Sequence, residues 1–144
     1  EESVDFKTMV HGIHAGGFRE KPLQIVGYGG TVHTFTEKYP ADLNNCLGCH
    51  EGTSYTLPMA DQVLATTHDT GADVQDPNDD TVTTRGSAVC SSCHDSAGAR
   101  SHMEANGGNF ATNQAEIDAG NVIEQCQVCH AEGKVYSVSS RHGL

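Results

Sequence analysis

Tryptophan is absent from the 144-residue chain, and phenylalanine and tyrosine contribute only four residues each. With a hydrophobic fraction of 36%, burial of side chains alone is a thin offset to the conformational entropy of a chain this long. Positive charge is also scarce: eight Lys and Arg stand against nineteen Asp and Glu, a formal net charge of −11. That balance repels nucleic acid and anionic membrane surfaces. It favours cationic partners, metal ions or oxide surfaces, with salt-dependent encounter. The plainer reading of the same charge is that it keeps an exported protein in solution. No apolar run approaches the roughly 20 residues of a membrane-spanning helix, so the chain is expected not to span a membrane. No secretory leader is visible, and Glu1-Glu2-Ser3 reads as the start of a mature or excised product. The length suits a single domain, 1–144.

No cysteine is spare. All six lie in three copies of one pattern: Cys46-Leu-Gly-Cys49-His50, Cys90-Ser-Ser-Cys93-His94 and Cys126-Gln-Val-Cys129-His130. C-x-x-C-H is the attachment signature of c-type haem. Two thiols add across the two vinyl groups of one porphyrin, and the adjacent imidazole turns onto the iron. A zinc or redox-dithiol reading leaves unexplained why a histidine follows each pair directly. Three haem c groups are therefore expected, held by Cys46, Cys49, Cys90, Cys93, Cys126 and Cys129, with His50, His94 and His130 as proximal ligands. Haem c is attached outside the cytoplasm, so export follows from the chemistry. No thiol is left for a disulfide or a lipid anchor. Ionised propionates would bring the oxidised holoprotein to a charge of roughly −14. The expected fold is mainly α with much irregular loop, a small multihaem cytochrome c domain whose core is largely the three haems. Sixteen glycines fit backbone lying close against macrocycles.

The local patterns give short elements. Residues 3–15 read as a helix capped by Ser3, with Phe6, Met9, Val10 and Ile13 at helical spacing and Gly16-Gly17 as its stop. Residues 21–40 read as extended and loop-like. A short helix is expected over 58–67, ending before His68. The stretch 69–80 carries five aspartates and no apolar period; it reads as a solvated acidic loop, with calcium binding as the sharper alternative. A helix is expected from His94 to Asn106, stopped by Gly107-Gly108. Gln114 to Ile123 is weakly helical. The attachment motifs start 44 and then 36 residues apart, which is too irregular for a solenoid repeat.

Nine histidines need a reason. Beyond the three in the motifs stand His11, His14, His33, His68, His102 and His142, twice what three distal positions require. Met9, Met59 or Met103 could serve instead and would raise the reduction potential, but with six spare histidines bis-histidine ligation is the better expectation. His11 and His14 are three apart and suit two adjacent haems rather than one iron. His102 follows His94 by eight residues on one helix, so it is directed to a different haem. The partner of His142 stays open.

Four segments extend the pattern beyond haem attachment: Asp5-Phe-Lys-Thr-Met-Val-His-Gly-Ile-His-Ala-Gly16, Gly27-Tyr-Gly-Gly-Thr-Val-His33, Asn45-Cys-Leu-Gly-Cys-His50, and Val89-Cys-Ser-Ser-Cys-His-Asp-Ser96 with His102-Met-Glu-Ala-Asn-Gly-Gly108. Together they resemble the pentahaem domains of the outer-membrane multihaem (decahaem) cytochromes of metal-reducing bacteria. The resemblance implies extracellular electron transfer through closely packed bis-histidine haems to ferric or manganese oxides, soluble metals or flavin shuttles, with cytochromes as redox partners. It implies distal roles for His11, His14, His33, His102 and His142, and none for His68. Localisation would be extracellular or at the cell surface, with the periplasm second. The decahaem relatives have two five-haem domains and β-barrel domains, whereas this chain has three motifs and no barrel-length β region. It resembles the last three haems of one pentahaem domain, so two distal histidines would serve haems missing here or on a neighbouring copy. Three functions compete. The leading one is an electron carrier. The others are a subunit of an oligomer or filament with haems ligated across the boundary, and a multihaem reductase with one open iron.

Overall fold

The computed structural model describes residues 3–144; Glu1 and Glu2, where the chain-start reading falls, lie outside the described residues. Ten short elements follow one another along the chain: α1 (Phe6–His14), β1 (Leu23–Val26), β2 (Val32–Phe35), β3 (Thr66–His68), β4 (Thr81–Thr83), α2 (Arg85–Ser91), α3 (Ala97–Ala105), α4 (Gln114–Asp118), α5 (Gln127–His130) and α6 (Val138–His142). The expectation of a mainly α fold around a haem core is corrected. Helix makes up 32% of the chain and strand 11%, the latter in two small antiparallel sheets. The reason lies in the connections. The helices are short, with glycine directly behind or at the ends of α1, α4 and α6 and Ser92 and Asn106 capping α2 and α3, and β-branched Thr and Val segments pair instead of coiling.

The described nucleus is also built by the chain itself. Leu23 and Val82 are fully buried together with Thr66, Ser87 and Ser92, and Ala15 and Ala88 close it on either side. Hydroxyls are tolerated there because they find partners: Ser92 Oγ donates to Ala88 O at 2.8 Å and Thr84 Oγ1 accepts from Asn109 N at 3.1 Å. This nucleus is small. The accessible surface is 9276 Å², against about 7,100 Å² for a compact chain of this mass. Phe6, Leu47, Val128 and Tyr136 accordingly remain exposed.

Helix α1 is capped by Asp5, not Ser3. The Asp5 carboxylate accepts from Lys7 N at 3.0 Å and from Thr66 Oγ1 at 2.8 Å, and pairs with the Lys7 ammonium. Ser3 Oγ instead accepts from Asp5 N and donates to Thr67 O. Asp5 therefore fastens the first helix to the second sheet. After α1 the chain turns through Gly16, where an added Cβ would come within 2.6 Å of Phe35 O, so only glycine lets the β1–β2 hairpin lie so close. That hairpin pairs Leu23 with Phe35 and Val26 with Val32. Its tip holds Gly29 and Gly30 at φ of 74° and 81°, the left-handed region that glycine enters without cost.

The helix expected over 58–67 is absent. The stretch runs through turns into β3, whose Thr66 and Thr67 pair with Thr83 and Val82 of β4. The acidic loop joins these two strands. Three of its five carboxylates are committed to its own backbone: Asp79 accepts from Ala72 N and Asp73 N, Asp73 from Gln75 N, and Asp76 from Asn78 N. The helix expected from His94 begins three residues later, at Ala97, with Ser96 Oγ accepting from Ala99 N at 3.1 Å. Helix α4 is shorter than the weakly helical stretch and is capped by Asn113.

Burial alone would raise the Asp5 carboxyl, but bonds from Lys7 and Thr66 outweigh it and hold the group below its ordinary 3.8. A depressed folded-state value gives stability that is full above the unfolded value and is lost as pH falls through the folded one. Asp5→Ala is therefore expected to lower stability at pH 7 by about 1 kcal/mol, the usual weight of a helix cap. That deficit should shrink below about pH 3.8 in thermal unfolding followed by circular dichroism.

Candidate functional site

The three attachment motifs fold in the same way. In each, the histidine N–H donates to the carbonyl of the first cysteine: His50 to Cys46 at 2.8 Å, His94 to Cys90 at 2.8 Å and His130 to Cys126 at 2.9 Å. One helical turn thus separates the first thiol from the imidazole and brings them to one side. The first turn is a 3-10 turn at Cys46–Gly48, the second is the end of α2, and the third is α5. In every motif the first thiol is half-buried and the second exposed, and all six are free of disulfides. Burial pushes the Cys90 thiol up to about 12, with Cys126 and Glu124 adding to it, and burial and Glu124 raise Cys126. Zinc-bound and redox-active cysteines have the opposite tendency, a depressed value.

Each motif imidazole faces a histidine from elsewhere in the chain. His50 stands opposite His11 of α1, with ring centres 6.0 Å apart. His94 faces His142 of α6 at 6.1 Å, and His130 faces His102 of α3 at 6.0 Å. A metal–nitrogen bond is about 2 Å and the nitrogen lies a little over 1 Å from its ring centre, so two rings sharing one ion stand roughly 6 Å apart. The angles between ring planes differ: 23°, 59° and 88° in the same order. Among the described residues no three His, Cys, Asp or Glu side chains converge on one point. Paired imidazoles are the protein donors that haem iron would take.

The rings are aimed by their second nitrogen. Nδ1 donates to Lys7 O in His11, to Tyr136 O in His130 and to Val138 O in His142, at 2.6, 2.8 and 2.8 Å. A carbonyl oxygen only accepts, so these bonds fix the proton on Nδ1 and leave Nε2 bare for a metal. His14 is held in the same manner, through Val10 O at 2.8 Å, but its ring meets Tyr39 edge-on at 4.4 Å. His33 is exposed on β2, and no histidine ring is stacked against either one among the described residues. His68 is engaged by Thr83 Oγ1 at 3.0 Å, inside the second sheet.

The sites lie against one another. Cys93 Sγ is 3.9 Å from His11 O, which joins the 46–50 site to the 90–94 site. Cys126 and Glu124 both lie close enough to Cys90 to help raise its thiol, which joins the second site to the third. Sequence reasoning missed the residues that hold this arrangement. Arg19 Nη1 donates to Ser92 O at 2.6 Å and to Ser91 O at 3.4 Å, and its Nε lies 3.9 Å from Asp95 Oδ2. Asp95 in turn accepts from Glu20 N and Lys21 N. Asn44 Nδ2 donates to His142 O at 2.8 Å, tying α6 to the run into the first motif. The one visible signal was an aspartate directly after a motif histidine; nothing in the spacing marks Arg19 or Asn44.

Opposed imidazoles above C-x-x-C-H turns are the donor set of a c-type cytochrome, and the residues present fit haem c. The family model for outer membrane cytochrome MtrC/MtrF-like proteins, domains II/IV, matches residues 1–143, so the chain belongs to that family. No curated protein matches the sequence. Membership makes the chain part of a multihaem cytochrome of extracellular electron transfer and metal reduction, with c-type haem as cofactor and the cell surface or exterior as its place. No helix among the described residues is long and apolar enough to cross a membrane.

The Arg19 clamp carries a measurable weight. Its side chain is only 6% exposed, and hydrogen bonds to a charged group contribute about 1.5–3 kcal/mol each. Arg19→Met keeps the aliphatic stem and removes the donors, and is expected to lower the stability of the holoprotein by about 2 kcal/mol in denaturant unfolding.

Proposed function

We propose that the chain holds three haem c groups and passes single electrons along them. The haem on Cys46 and Cys49 takes His50 and His11, that on Cys90 and Cys93 takes His94 and His142, and that on Cys126 and Cys129 takes His130 and His102. Haem c in these sites supplies the one-electron change between ferric and ferrous iron. The chain's part is to fix two imidazoles per site, so that little rearranges when an electron arrives. The observation that carries this reading is the common spacing of the three histidine pairs, 6.0, 6.1 and 6.0 Å. The contact between Cys93 and His11 and the nearness of Cys126 to Cys90 support an order of first, second, third.

Two histidines would be committed to each haem, so the sites would serve electron transfer rather than binding of a substrate at iron, and the chain is read as a conduit. Delivery would be at a haem edge, to metal oxides, soluble metals, flavin shuttles or partner cytochromes. The acidic surface suits metal cations and positively charged oxide faces. His14 supports a second reading. It has the same Nδ1 anchor as His11, without a histidine stacked opposite it, so His14, with His33, would ligate haem carried outside these residues, on a preceding segment or on a neighbouring copy in an oligomer or filament.

His102→Ala tests the assignment at a ligand that plays no part in attachment. All three haem masses should remain on the polypeptide. One haem should change from low-spin to high-spin absorption and bind cyanide, while the unaltered protein binds none. A fully low-spin variant that ignores cyanide would remove His102 from the ligand set.

A further inference from the structure

Glu124 lies two residues before the third attachment motif, and its carboxylate is spent on the helix that carries the second. Oε1 accepts from Thr84 Oγ1 at 2.6 Å and from Ser87 N and Oγ, both at 2.7 Å. Oε2 accepts from Gly86 N at 2.7 Å. These donors are the first turn of α2, whose last turn holds Cys90. Thr84, at the capping position, makes no side-chain bond to the backbone of its own helix, so a residue 40 positions away caps it instead. The segment that delivers Glu124 is fixed independently, since Gln125 N donates to Asn106 O at 2.9 Å just beyond α3.

We propose that Glu124 is a positioning residue that sets the second and third haem sites relative to one another. The inference rests on the haem assignment above and adds to it the element that holds two of the three sites in register. Four donors require a carboxylate. Glutamine would offer one acceptor oxygen and turn its amide donors toward the Gly86 N–H, so at least one backbone group would lose its partner. The fit is close on the other side as well. A Cβ on Gly86 would stand 2.7 Å from Glu124 Oε2, so Gly86→Ala displaces the carboxylate while leaving its charge in place.

The test compares the wild-type holoprotein with Glu124→Gln, Gly86→Ala and, as a charge control on an exposed helix, Glu116→Gln. Haem stoichiometry is read by intact mass, and the arrangement of the porphyrins by the split Soret circular dichroism that neighbouring chromophores produce through exciton coupling. Glu124→Gln and Gly86→Ala should each retain three haems and low-spin absorption and lose at least about half of the couplet amplitude, while Glu116→Gln keeps it. An unchanged couplet in either Glu124→Gln or Gly86→Ala overturns the proposal. Should one of those two fail to acquire haem, the other decides. Failure of both also overturns it, since Glu124 would then be needed for building the sites rather than for their spacing. A wild-type protein without three haems contradicts the haem assignment itself, which the mass measurement reads separately from the couplet.

Discussion

Everything in this molecule depends on holding pairs of imidazoles about a metal's width apart. A free histidine side chain samples several rotamers, and an axial pair built from such chains would lose that freedom on binding. Here the loss is met during folding. The backbone carbonyls of Lys7, Tyr136 and Val138 take the Nδ1 protons of His11, His130 and His142, which fixes both the tautomer and the direction of each ring. Of their partners, His50 and His94 are placed by the one-turn geometry of their own motifs, and His102 stands on α3. Three helices of unrelated sequence, α1, α3 and α6, then need only arrive at the right distance.

Arrival is arranged by polar clamps more than by an apolar core. Leu23 and Val82 anchor a nucleus that is otherwise largely threonine, serine and alanine. Around it, Asp5 fastens α1 to the second sheet, Arg19 and Asp95 fasten the run after α1 to the second motif, and Asn44 fastens α6 to the run before the first. Hydrogen bonds are directional where hydrophobic contact is not. A chain that leaves Phe6, Leu47 and Val128 at its surface gains definition from such clamps.

How far the sequence disclosed this can be argued residue by residue. The three like turns at 46–50, 90–94 and 126–130 were legible because each motif repeats one spacing over five positions. Helix α1, the extended run after it and α3 were legible from local period and from glycine stops. The overall class was not. Threonine-rich stretches such as 66–67 read as the end of a helix when taken alone, and become strand only because Thr83 and Val82 lie across from them. The cap of α1 stands two residues later than expected for a similar reason: Ser3 and Asp5 are both good caps, and the decision rests with Thr66, 61 residues away. The sequence left the partner of His142 open, and it proves to face His94. Arg19, Asn44 and Glu124 act entirely through long-range contacts, which no local pattern announces.

The ring angles offer the most direct test of the account, since they are a property of the folded chain that an attached haem must report. Electron paramagnetic resonance of the fully oxidised protein distinguishes low-spin ferric haems by the mutual orientation of their axial imidazoles. Near-parallel rings give a rhombic spectrum, and near-perpendicular rings give a single feature at unusually high g. With planes at 23° for His11 and His50 and 88° for His102 and His130, both kinds of signal should coexist in one sample, and the high-g feature should vanish in a variant lacking His102. A spectrum of one uniform type, or a high-spin signal in the unaltered protein, would contradict the three pairs.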